Sequence, residues 1–110
     1  MVRPRLCRQI HSEPNIVYFK PQGIPLRELK ETILTIDEFE AIRLKDFEGL
    51  EQESCAKKMN ISQPTFHRLI LSARKKIADS IVNGKAIRIE GGNFEISKDA
   101  KGFRHRKGFL

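Results

Sequence analysis

Long apolar runs are missing from this 110-residue chain, and its two cysteines are too few for a disulfide framework. No stretch approaches the length that spans a bilayer, and the N-terminal MVRPRLCRQI has charges with no hydrophobic segment behind them. Neither a membrane anchor nor a signal peptide is expected, which makes the expected compartment the cytosol. Cys7 lies in a basic stretch and Cys55 on the apolar side of a helical pattern, so both are expected as reduced thiols. Cys7 and His11 form a lone C-x-x-x-H without the two further ligands of a zinc site, and no metal or other cofactor is expected. A nucleophile with a positioned base and a phosphate-cradling glycine loop are also lacking, so an enzyme is the least favoured class. The length suits one domain with a modest core.

What is present is charge, unevenly placed. The net charge is +7. Arg3, Arg5 and Arg8 make the N-terminus basic, Arg68, Arg74, Lys75 and Lys76 fall in one predicted helix, and Lys98 to Lys107 is basic again. Between them, Asp37 to Glu53 carries seven acids against Arg43 and Lys45. A phosphate backbone would be drawn to one side of such a molecule and repelled by the other, which orients binding as well as strengthening it.

The segment Gly49 to Asn83 organises the rest. Cys55, Ala56 and Met59 mark one side of a short helix from Gln52, and Asn60 is suited to the left-handed turn that ends it. Ser62 is placed to cap a second helix that starts at Gln63 and carries Pro64 in its first turn, where a missing N–H costs nothing. Phe66, Leu69, Ile70, Ala73, Ile77 and Ile81 form its predicted apolar stripe. The other side carries Thr65, His67, Arg68, Ser72, Arg74, Lys75 and Lys76. Two helices joined by a short turn, the second longer and basic, are what major-groove recognition requires.

Around this segment the chain reads as follows. Residues 1 to 34 form a basic N-terminal arm and an irregular segment that packs on the core. Within them Ile16 to Phe19 is β-prone, with Tyr18 and Phe19 expected to fill the core, and Leu26 to Leu34 could form a short helix. Thr35 and Glu38 make a capping box for a helix from Ile36 to about Asp46, with Ile36, Phe39 and Ile42 inward. Asp37, Glu38 and Glu40 lie in its first turn, where the helix dipole favours negative charge, which points to a structural and not a catalytic role. After Gly84 the period changes to two. Gly91-Gly92 then predicts a β-hairpin within 85–97, pairing Ile89 with Phe94 and Ile87 with Ile96. The same strands could equally pair with Ile16 to Phe19 or with another subunit. Residues 98–110 read as a flexible basic tail.

The runs RPRLCR, YFKPQGIPLREL, DEFEAIRLKDFEGLEQESCAKKMNIS and TFHRLILSARKKIADSIVNGKAIRIEGG together resemble the uncharacterised protein family numbered 251, also described as domain of unknown function 134, from Arg3 to Gly92. That family is described as DNA-binding. The centre is also similar to the promoter-reading helix-turn-helix of sigma factors, with Gly49-Leu50, Ser62, Thr65 and the run Arg74, Lys75, Lys76 at the matching points. The resemblance implies a mainly α fold: a three-helix helix-turn-helix domain of that type over 35–84, followed by the small hairpin.

The expected function is therefore sequence-specific binding of double-stranded DNA by a transcriptional regulator. Gln63, Thr65, His67 and Arg68 are expected nearest the base edges, with Ser72, Arg74, Lys75 and Lys76 on phosphates and Arg3 and Arg5 in a DNA-contacting arm. One alternative is a sigma-like module that contacts RNA polymerase or another regulator; another is an RNA-binding protein using Tyr18 and Phe19. A homodimer is a further expectation, since a single small module buries little DNA surface and two half-sites would raise affinity.

Overall fold

The structure, a computed structural model, describes residues 7–97; the expectations for Arg3, Arg5 and the tail 98–110 lie outside the described residues. Its frame starts at Thr35. The Thr35 hydroxyl accepts the Glu38 N–H at 3.3 Å and the Glu38 carboxylate accepts the Thr35 N–H at 2.9 Å, which starts helix α1, Ile36–Ile42. The chain continues into one π-helical turn, Arg43–Phe47, closed by the Glu48 N–H on the Arg43 carbonyl at 2.8 Å. The expected helix thus reaches Asp46, with its last turn widened.

Helix α2 spans Gln52–Met59 and ends at Asn60, which is left-handed at φ 61° and ψ 45°. Only Asn60, Ile61 and Ser62 separate it from α3, Gln63–Asn83. Ser62 accepts the Thr65 N–H at 3.2 Å and Pro64 sits in the first turn, as the capping pattern requires. At the other end Gly84, at φ 67°, closes the helix. Phe66 and Ile70 of α3 meet Ala41, Leu44, Cys55, Ala56 and Met59 in one core cluster, and Ala73 meets Leu34 and Ile89 in another, with Ile42 against both. Complete burial of Phe66 or Met59 stabilises the fold by about 2 kcal/mol each. The predicted stripe fails at its end: Ile81 is 75% exposed, and the inward position one turn after Ile77 belongs to Ser80. Burial there costs little because the Ser80 hydroxyl donates to the Lys76 carbonyl at 3.0 Å.

The strands depart most from expectation. Leu26–Glu28 is a single 3-10 turn, and Glu31–Leu34 is strand β3 instead of the end of a helix. Strand β4, Ala86–Ile89, lies between β3, to which it is parallel, and β2, Tyr18–Phe19, to which it is antiparallel. Leu34 stands opposite Ile89 and Phe19 opposite Ile87. Three helices form the crossover between β3 and β4, which a parallel pair needs. Because both edges of β4 are taken, β5, Phe94–Ile96, cannot fold back on it, and the expected hairpin is absent. Strand β5 instead runs parallel to β1, Arg8–Ile10, with Ile10 opposite Ile96. The N-terminal segment is accordingly built into the fold from Arg8 onward, with Ile10 fully buried. Among the described residues the result is three α-helices with two small sheets, a mixed helix-and-sheet fold, not a mainly α domain with a terminal hairpin. Phe19, expected in the core, is on an edge strand and about half exposed.

Gly91 and Gly92 do adopt positive φ, 74° and 100°, but to cross the start of α1, where the Gly91 carbonyl accepts the Ile36 N–H at 2.9 Å. A methyl group on Gly92 would overlap Asp37 Oδ1 and lie 2.8 Å from Thr35 Cβ, whereas one on Gly91 meets nothing within 4 Å. Gly92→Ala is expected to lower unfolding free energy by about 2 kcal/mol or more, against about 1 kcal/mol for Gly91→Ala, which bears only the backbone strain. Denaturant unfolding of the two variants checks the difference.

Candidate functional site

The acids expected in the first turn of α1 are not solvated; Asp37, Glu38 and Glu40 are all buried. Each has a partner from a different part of the fold. Asp37 Oδ2 accepts from Arg8 Nη1 at 3.0 Å and so ties α1 to β1. Glu40, wholly buried, accepts from Arg43 Nε and Nη2, both at 2.9 Å, and from the His11 N–H at 2.8 Å. Glu38 joins α1 to α3: its Oε1 accepts from Lys76 Nζ at 2.8 Å and its Oε2 from the Ser72 hydroxyl at 2.6 Å. Burial pushes the Glu38 carboxyl up, but the hydrogen bonds from Lys76, Ser72 and the Thr35 N–H, with the Lys76 charge, outweigh it and leave it below the usual range.

A fourth acid reaches α3 from the π-helical turn. Asp46 holds the Arg74 guanidinium through both oxygens, at 2.6 Å and 3.0 Å. The hydrogen bond from Arg74 is the main reason why the Asp46 carboxyl lies below its ordinary range, and the same bond raises the Arg74 guanidinium. Two of the four α3 cations are therefore engaged within the molecule. Arg68 and Lys75 make no ion pair among the described residues, and both are exposed.

Along the outer side of α3, Gln63, His67, Arg68, Ser72, Arg74 and Lys75 are exposed, while Thr65 and Lys76 are half-buried. Thr65 Oγ1 accepts from the Ser62 hydroxyl at 2.9 Å and, at a long 3.4 Å, from Arg68 Nη2. Gln63, His67 and Arg74 recur at helical spacing on one flank, Thr65, Ser72 and Lys76 on the other, with Arg68 and Lys75 between. An open groove of about 560 Å³ beside Ser72, Lys75, Lys76 and Asp79 follows the second flank. Lys57 and Lys58 add exposed cations at the end of α2, next to the turn. From Gln63 to Lys76 the helix thus presents a polar side that becomes basic toward its middle, with its flanks tethered to acids beneath through Ser72, Lys76 and Arg74.

Spacing along α3 located these residues, but not their partners. Glu38 and Asp46 stand 38 and 28 positions from the basic side chains that they hold, so no local pattern names them. The one sequence signal is the acid-rich 37–53 segment ahead of a basic helix. Tyr18 is likewise committed elsewhere: its hydroxyl donates to Glu31 at 2.6 Å, and the Arg88 guanidinium lies 4.7 Å from its ring centre. Arg88 also grips Glu31 at 2.8 Å and 3.1 Å, and its hydrogen bonds, with that from Tyr18, bring Glu31 down to about 2. One face of the Tyr18 ring, which the RNA-binding alternative would use, is therefore occupied. No helix among the described residues is long and apolar enough to cross a membrane.

Residues 1–97 match the family described as "Protein of unknown function DUF134". A UPF0251 protein of Caldanaerobacter subterraneus subsp. tengcongensis is 60% identical over 113 residues, covering 99% of this chain and 96% of the relative. A UPF0251 protein of Thermoanaerobacter pseudethanolicus is 57% identical over 112 residues, 98% of this chain and 95% of the relative. One from Dehalococcoides mccartyi is 57% identical over 96 residues, 87% and 82% of the respective chains. No solved structure matches the chain significantly.

The tether at Glu38 makes a stability prediction. Its folded carboxyl lies below the ordinary value of 4.5, so its contribution is complete above that pH and is lost as the pH falls through the folded value. Glu38→Gln is expected to cost about 2 kcal/mol at pH 7, between the limits for exposed and buried pairs because Lys76 is partly solvated. Below about pH 4 the gap from the parent should narrow. Urea unfolding at pH 7 and pH 3 measures both.

Proposed function

The chain belongs to the family of proteins of unknown function DUF134, and we propose that it is a sequence-specific double-stranded DNA-binding protein that regulates transcription. In this reading α2, the turn and α3 act as a helix-turn-helix of the sigma-factor promoter-reading type, with α1 as the third helix and α3 in the major groove. The observation that carries it is the outward N-terminal half of α3, which follows a three-residue turn and offers Gln63, His67 and Arg68 to solvent.

Chemistry assigns the roles. Gln63 can pair with the N6 and N7 edge of adenine and Arg68 with the O6 and N7 edge of guanine, while Thr65 and His67 border the same bases. Lys75, exposed two turns further on, suits a phosphate. Pro64 fixes the backbone between Gln63 and Thr65, which limits the conformations that the reading end must give up on binding. Cytosolic location and the absence of catalysis belong to the same proposal.

A second reading is favoured by Phe47. Its ring is 83% exposed at the end of the π-helical turn, between Asp46 and Glu48, on a side that would repel phosphate. An exposed aromatic among acids suits a basic protein surface, such as one on RNA polymerase.

Selection from a random duplex DNA pool at about 0.15 M salt separates the readings. An enriched motif is expected, and a two-fold symmetric motif would indicate a homodimer on two half-sites; retention without enrichment would favour the protein-contact module. On the enriched site, Arg68→Ala should relax preference at one base pair at a cost of about 1–3 kcal/mol. Lys75→Ala should weaken every sequence alike and reduce the salt slope by about 0.9. Identical behaviour of the two variants would refute the division of roles.

A further inference from the structure

We infer that Asp46 withholds Arg74 from the DNA backbone and so limits the sequence-blind part of the affinity. This deepens the DNA-binding reading of α3 and rests on it. Arg74 follows Gln63 and His67 at helical spacing on one flank of α3, where a phosphodiester strand bordering the groove would run. Its guanidinium is a planar fork suited to grip two phosphate oxygens, and Asp46 fills that fork in the same bidentate manner, Nη2 to Oδ1 at 2.6 Å and Nε to Oδ2 at 3.0 Å.

The pair does little for the fold. Its side chains are 45% and 39% exposed, and such pairs contribute about 0–1 kcal/mol. That separates it from Lys76 and Glu38, where the carboxylate is only 6% exposed and also caps α1. Lys76 and Ser72 are committed to the architecture, whereas Arg74 is held at the surface by a group that can be removed without unfolding the chain. Asp46 is aimed at α3 by the π-helical turn, which Arg43 fastens through Glu40 on one side and Glu48 on the other. Lys45, next to Asp46, is the other cation acting on that carboxylate.

The test is the salt dependence of binding to a fluorescently labelled duplex of unrelated sequence, measured by anisotropy for the full chain. Asp46→Asn is expected to steepen the slope of log K against log salt by about 0.9, which is about fivefold tighter binding at 0.15 M salt. Arg74→Ala alone should leave the parental slope unchanged, and Asp46→Asn with Arg74→Ala should return to it. Glu53→Gln, which removes the same charge from exposed Glu53 on α2, should give much less than the Asp46→Asn gain. The inference is overturned if Asp46→Asn binds like the parent, if Glu53→Gln matches it, or if Arg74→Ala by itself flattens the slope by about 0.9. If the parent is not retained on duplex DNA even at low salt, the DNA-binding reading falls and takes this inference with it.

Discussion

Burying a carboxylate is costly unless a cation and hydrogen-bond donors meet it, and this small domain buries three on one helix of seven residues. Asp37 reaches β1 through Arg8, Glu38 reaches α3 through Lys76 and Ser72, and Glu40 reaches Arg43 and the backbone at His11. Each pair joins α1 to a segment distant in sequence or locks the turn that follows it. Apolar contacts around Phe66 and Ile70 provide most of the packing, but they are tolerant of small shifts. The ion pairs are directional, and the one from Glu38 to Lys76 and Ser72 adds a fixed point to the apolar contacts that seat α3 on α1.

That constraint shapes the candidate interface by subtraction. A basic helix in isolation would show four cations to a polyanion. On this scaffold Lys76 is spent on holding α1, Arg74 is gripped by Asp46, and Arg68 and Lys75 remain. On the proposed DNA-binding reading, a surface with fewer available charges would lean more on directional contacts from Gln63, Thr65, His67 and Arg68 and less on general attraction, which is the balance that sequence discrimination needs. The acidic segment is a structural element, and on the same reading it is also a brake on the electrostatics of its neighbour.

Much of the helical part was legible along the chain because its signals are local. Thr35 with Glu38, Asn60, and Ser62 with Pro64 lie within a few residues of the backbone groups that they satisfy, and helix bounds followed from them. The stripe from Phe66 to Ile77 was readable for the same reason. Ile81 was misplaced because a helix longer than the core it covers keeps its periodicity after its partners have ended. The strands were harder. Ile87 and Ile96 alternate correctly for a hairpin, but alternation says which side of a strand is apolar, not which strand lies beside it.

Pairing is where the tertiary structure decided the outcome. Strand β4 has two edges, and β2 and β3 take both, so a Gly-Gly turn well suited to a hairpin became a crossing above α1 and β5 went to β1. The acids of α1 followed the same rule: the place of Asp37 and Glu38 in the first turn was evident, with Glu40 one turn further on, but whether they met solvent or Arg8, Lys76 and Arg43 depended on segments folded against them. By itself the sequence determined the three α-helices, the caps at Thr35 and Ser62, the turn at Asn60 and the set of polar side chains on α3, since each depends on neighbours within one or two turns. The helix expected over Leu26 to Leu34, by contrast, gave way to strand β3. Strand partners, the burial of Asp37, Glu38 and Glu40, and the cations left open on α3 depend on groups tens of residues apart, which only the packed chain brings within hydrogen-bond reach.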